Sequence, residues 1–160
     1  MFFRIIPCVV ILDGLATYTL NFQPQFDLGD PLNICRIYSE FEADEIMVLD
    51  KSIRFSINNT GVLENMSNQV RVPLSYGGNI KTIDEVSQCM NQGVDRIVFK
   101  MKDRETFRLI EKSANVFGSQ SVLACINIRS DLQSKQKGEL LERCIKLVVN
   151  ATDAGAGEIL

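Results

Sequence analysis

VPLSYGGNIKTIDEVSQCMNQGVDRIVFK, residues 72–100, decides the fold. Its ends are short apolar runs, VPLSYGG (72–78) and RIVFK (96–100). Between them IDEVSQCMNQG (83–93) places apolar side chains three and four residues apart, the stripe of a helix packed on one face. Gly93 stands where a helix ends. Near-continuous apolar runs suit parallel strands buried on both faces. The segment therefore reads as strand, helix, strand.

Working outward, the unit repeats. Further strand-like runs are RIIPCVVIL (4–12), EIMVLD (45–50), SVLACINI (121–128) and EIL (158–160). Further helical stretches are NICRIYSEFEA (33–43), RETFRLIEKSANVFG (104–118) and LLERCIKLVVNATDAG (140–155). No element is read between 13 and 32 or between 51 and 71. Repeated strand–helix units mean an α/β fold with a parallel sheet, either a barrel or an open doubly wound sheet. No G-x-G-x-x-G opens the first helix, which weighs against a dinucleotide-binding sheet. A complete barrel needs roughly 250 residues, and the 160 residues stop inside a sixth strand. Pattern alone leaves barrel fragment and open sheet both standing.

Composition excludes several function classes. Lys and Arg number 17 against 20 Asp and Glu, a net charge of -3, and they are scattered. That gives no electrostatic reason for nucleic acid or an anionic membrane as partner. No run approaches the length of a transmembrane helix. The apolar run behind Arg4 is broken by Pro7 and has a one-residue basic region, unlike a secretory leader. A cytoplasmic chain is expected, in which N-x-S/T at Asn58, Asn65 and Asn150 carries no weight. The five cysteines are odd in number and form no C-x-x-C, so neither a disulfide framework nor a zinc site is expected, and no cofactor. Without histidine, acid–base chemistry falls to Asp, Glu, Lys, Tyr or Cys. Asp13 and Asp50, near strand ends, are the catalytic candidates. Gly77, Gly78 and Lys100 could hold an anion through backbone N–H groups and charge. The plain alternatives are that Gly77-Gly78 and Asp13-Gly14 only make turns.

RIIPC (4–8), DG (13–14), GDP (29–31), DEIMVLD (44–50), GGNI (77–80), GVDRI (93–97), FGSQSV (117–122) and GAGEIL (155–160) occur in the order and spacing of one family. The chain resembles the N-terminal part of the HisF-like family, the cyclase subunits of imidazole glycerol phosphate synthase. VPLSYGG and GSQSV resemble more the paralogues that accompany sugar amidotransferases. The resemblance implies a partial (β/α)8 TIM-type barrel of about five βα units plus the start of strand six, with residues 1–160 as a single incomplete domain. It implies a glutaminase partner, HisH-like, whose ammonia enters the barrel bottom and meets a phosphorylated small molecule at the top.

The resemblance also locates departures. The family's two catalytic aspartates fall at Val10 and Asn127, and a loop lysine falls at Tyr18. A phosphate-binding Asn-Thr falls at Lys100 and Met101, and the third glycine of the strand-three loop at Asn79. An amide cannot exchange a proton as a carboxylate does. At the bottom, the family's charged ammonia gate falls at Arg4, Glu45, Arg96 and Glu158, and a glutaminase-interface position at Asp95. That ring reads either as a passage or as a structural ion-pair plug. Three functions follow: an ammonia-conducting subunit, an active cyclase of histidine biosynthesis, or a non-catalytic barrel fragment. Open edges at the first and last strands are expected to favour self-association.

Overall fold

The computed structural model describes residues 3–21, 23–52, 61–127 and 134–160, with side chains of the last segment from 138 onward. Asn58 and Ile128 lie outside the described residues. The chain divides into two compact units, Met1–Ile80 with Asp84–Ile97, and Lys81–Ile83 with Val98–Leu160.

The first unit contains strands β1 (Cys8–Leu12), β2 (Leu15–Leu20), β3 (Gln23–Gly29), β4 (Ile46–Asp50) and β5 (Leu74–Gly77). Its helices are α1 (Pro31–Glu40), α2 (Gly61–Gln69) and most of α3 (Ile83–Asn91). β1 pairs in parallel with β4, β4 with β5, and β5 with the start of β6 (Arg96–Lys100). The core is Val9, Ile11, Ile46, Val48, Leu74 and Tyr76 from the strands, met by Cys35, Met66, Val86 and Cys89 from the helices. Both faces of the strands are covered, as their unbroken apolar runs require.

The second unit continues β6 into α4 (Arg104–Phe117), a 3-10 turn at Ser119–Ser121, β7 (Val122–Cys125), α5 (Ser134–Asp153) and β8 (Glu158–Ile159). β7 and β8 are parallel. Its core is Val98, Phe99, Leu109, Ile110, Val122, Leu123 and Ala151. Parallel strands joined by helices give the (β/α) TIM-type architecture: five strand–helix units and a sixth strand among the described residues.

Four expectations need correction. Strand one begins at Cys8, not Arg4. The residues from 13 to 29, read as without structure, form an antiparallel hairpin of β2 and β3 added beside β1. Asp13 and Gly14, both at positive φ, are the two-residue turn between β1 and β2, the conformation that Asp-Gly favours between strands. The first strand is therefore no open edge. Helix α2 also escaped the pattern, because Leu63 and Met66 are the two residues it buries, too few for a visible stripe.

The quoted motifs solve backbone problems. In GDP, Gly29 takes φ +102°, Asp30 accepts from the Leu32 N–H at 2.9 Å as the α1 cap, and Pro31 opens the helix. In FGSQSV, Gly118 ends α4 at φ +87°. In GAGEIL, Gly157 lies against the Ser119 carbonyl, where a Cβ would clash with backbone. RIIPC and DEIMVLD clasp each other: the Ile5 N–H donates to the Asp44 carboxylate at 2.6 Å, and the Asp44 N–H to the Ile5 carbonyl at 3.1 Å. Asp30→Ala, which leaves the first-turn N–H groups of α1 unpaired, is expected to lower stability by about 1 kcal/mol. Urea melts followed by circular dichroism measure it.

Candidate functional site

The two ends of the first unit's parallel strands carry different chemistry. At the strand starts, Glu45 stands one residue before β4 and is 3% exposed. A carboxylate so buried costs several kcal/mol unless its charge is matched. Arg96, the first residue of β6, donates from Nη1 to Glu45 Oε2 at 2.9 Å. Ser75 of β5, paired in register with Arg96, donates its hydroxyl to Oε1. Arg4 brings Nη1 to 3.8 Å from Oε2, with its side chain 48% exposed. The close, shielded Arg96 contact therefore contributes most, and solvent screens Arg4.

Three of the four gate candidates thus meet on one carboxylate. Glu158 belongs to the second unit, where it opens β8 half-buried, in register with Leu123. Asp95 makes a reciprocal latch with β5: its N–H donates to the Leu74 carbonyl at 2.9 Å, and its carboxylate accepts from the Leu74 N–H at 2.8 Å. Its side chain, exposed at the surface, already has a structural task.

At the strand ends, Asp50 closes β4 and is 8% exposed. Oδ1 accepts from the Ser52 N–H at 2.8 Å, and Oδ2 from the Tyr76 hydroxyl at 3.3 Å. The Ser52 hydroxyl is buried near this carboxylate but outside hydrogen-bond geometry. Burial holds the Asp50 carboxyl above the ordinary carboxylate range, against the lowering effect of its donors, and Asp13 nearby adds to the rise. Tyr76 is 1% exposed, and burial together with Asp50 pushes its phenol up as well.

The glycine pair beside them has a packing explanation. A Cβ on Gly78 would lie 2.6 Å from the Asp50 carbonyl oxygen, so only glycine lets the ends of β4 and β5 approach. Asn79 follows at φ +50°, in the left-handed region. An anion over Gly77 and Gly78 would face the Asp50 side chain, which opposes it whenever that carboxyl is ionised. Lys100 belongs to the second unit, exposed at the end of β6. It tempers the effect of burial, which raises the Cys125 thiol.

The two positions expected to carry acids hold none. Val10 is 7% exposed and apolar. Asn127 is exposed, with Oδ1 3.5 Å from the Cys125 sulfur. Tyr18 is on the hairpin, its ring stacked on Phe26 at 5.0 Å. Cys35 and Cys89 are core thiols, each pushed up to about 12 by burial. Among the described residues no group of three or more acidic, Cys or His side chains could hold a metal ion, and no helix is long and apolar enough to cross a membrane. Sequence reading missed Ser75, Ser52 and Tyr76. The one available signal was the pair of hydroxyls, Ser75 and Tyr76, inside an otherwise buried strand.

Glu45→Ala removes the buried carboxylate that Arg96 and Ser75 contact and is expected to cost about 3–5 kcal/mol, read from denaturant melts. Asp50 binds its proton more tightly folded than unfolded, so above the unfolded carboxylate pKa its contribution to stability falls as pH rises. Compared with Asp50→Asn, the natural chain is expected to lose stability as pH rises above the unfolded carboxylate value of about 4. Parallel slopes for the two proteins in pH-resolved melts would contradict this.

The family model described as "Histidine biosynthesis protein" matches residues 4–160. A putative imidazole glycerol phosphate synthase subunit HisF of Leptospira interrogans is 34% identical over 167 residues, covering 98% of this chain and 66% of the relative. The imidazole glycerol phosphate synthase subunit HisF of Helicobacter hepaticus is 32% identical, covering 98% and 66%. That of Methanococcus maripaludis strain C6 is 32% identical over 141 residues, covering 87% and 52%. The chain therefore spans between about half and two thirds of the length of these relatives.

Proposed function

The chain belongs to the histidine biosynthesis protein family, and from that premise we propose that it is a HisF-like, ammonia-conducting subunit that docks a glutaminase. Residues 1–160 act as one incomplete barrel domain, in the cytoplasm, with altered chemistry at the strand ends. The relatives' names, each a subunit of imidazole glycerol phosphate synthase, support a partnered protein.

One observation carries the reading. The strand-start charges are assembled on Glu45, while Val10 and Asn127 stand where the acid and base are expected. A plug alone has no need of a half-exposed arginine. Arg4 reaches the buried carboxylate from solvent, which suits an entrance more than a sealed core. Asp95 lies on the surface at the same strand starts and would border the docked glutaminase. Gly77, Gly78 and Asn79 are retained as contacts for a phosphorylated acceptor, which Asp50 tolerates best when protonated.

The nitrogen source provides the test. In a complex of the chain with its glutaminase and acceptor, Glu45→Gln should reduce glutamine-dependent turnover several-fold and leave ammonium-dependent turnover near its starting value. Equal losses with both sources would leave only the plug. A second measurement concerns the cyclase reaction itself. With the two-phosphate ribulosyl nucleotide and an ammonium salt, the chain should turn over at least about 10²-fold more slowly than a HisF relative, because each lost acid–base group typically costs that much.

A further inference from the structure

The strand ends retain a carboxylate with a built environment, and it is not at either expected position. We infer that Asp50 is the acid–base group of this chain's strand-end site and that Tyr76 is the residue that positions it. The inference rests on the ammonia-conducting reading, which requires a proton-transfer group where the ammonia arrives.

The geometry singles out Asp50. In the first unit, the acidic side chains near the ends of β1 and β4 are Asp13 and Asp50. Asp13 is exposed, in a two-residue turn whose backbone explains its presence. Asp50 is fixed at both oxygens by donors from two directions, one from its own loop and one from the neighbouring strand. Tyr76 cannot swing away, because its ring is buried in the middle of β5, in register with Val48. Gly78 brings the backbone of β5 against that of Asp50, which fixes the distance between the two strand ends. A buried tyrosine hydroxyl would cost stability if left unpaired. Asp50 is its partner, and the residue keeps 8% of its surface exposed.

The chemistry balances with Asp50 alone. Ammonia adds to an acceptor carbonyl: the N–C bond forms, the C=O π bond breaks, and the Asp50 proton passes to the oxygen. The nitrogen, now carrying an extra proton, returns one to the Asp50 carboxylate. No oxidant or further reactant is needed. A carboxyl held above the usual range is suited to both halves near neutral pH.

The full chain labelled at the aspartate carboxyl carbon tests this by NMR, with the Asp50 resonance identified by its absence in Asp50→Asn. Its titration midpoint should lie above the ordinary carboxylate value of about 3.9. Tyr76→Phe removes a donor to the ionised form while keeping the ring, and should raise the midpoint by about 0.5, the low end for a long hydrogen bond. Asp13→Asn should move it slightly down. In the assembled complex supplied with ammonium chloride, Asp50→Asn should lower kcat by about 10²-fold or more. Tyr76→Phe should displace the kcat–pH profile by the same amount as the NMR midpoint, with the KM for ammonium unchanged. A midpoint in the ordinary range and indifferent to Tyr76→Phe overturns the inference. So does an active complex whose rate and pH profile ignore both substitutions, and in that case the ammonia-conducting reading survives. A wild-type complex inert toward ammonium removes that reading, and this inference with it.

Discussion

One buried carboxylate constrains the start of the parallel sheet. Glu45 is 3% exposed at the point where β4 begins, and its charge must be matched inside the protein. Its partners come from three other places in the chain: Arg4 ahead of β1, Ser75 in β5 and Arg96 opening β6. The register of Ser75 with Arg96 is what brings hydroxyl and guanidinium to the same carboxylate. A slip of one residue in β5 or β6 would turn one of them to the opposite face. The ion cluster therefore depends on the strand pairing and also penalises wrong pairings.

Around that cluster, main-chain contacts do much of the joining. Asp44 clasps Ile5, Asp95 clasps Leu74, and Ser39 accepts the Arg71 N–H at 2.8 Å. Each replaces water at a backbone N–H where a strand or loop would otherwise leave it unpaired. In the second unit, glycine does comparable work by being small, with Gly157 against Ser119 and Gly155 against Ala114. These are the residues of the motifs that mark the family. They are needed for the barrel-type chain to turn and pack, whatever reaction the strand ends support.

The departures that the resemblance implies include Val10 and Asn127. Val10 adds apolar volume where an acid is expected, and Asn127 offers an amide. Asp50 is the buried acid of the first unit's strand ends, with Tyr76 against it and Asp13 adding negative charge. Those charges disfavour an anion over Gly77 and Gly78 unless Asp50 is protonated. The state of one proton therefore bears on what the glycine turn can hold.

The sequence by itself determined the repeating strand–helix order, because buried parallel strands and one-sided helices leave different periodicities. It also placed Glu45 and Arg96 at strand starts, since charged residues stand out at the head of apolar runs. It under-read the hairpin: Asp13-Gly14 was recognisable as a turn, but β3 is exposed along nearly its whole length and leaves no burial pattern. What only the tertiary structure decided was which groups share a partner. Ser75 lies 30 residues from Glu45, Arg96 lies 51, and Tyr76 lies 26 from Asp50. Such pairs are fixed by strand register and by the close approach that Gly78 allows, and neither distance along the chain nor residue type encodes them locally.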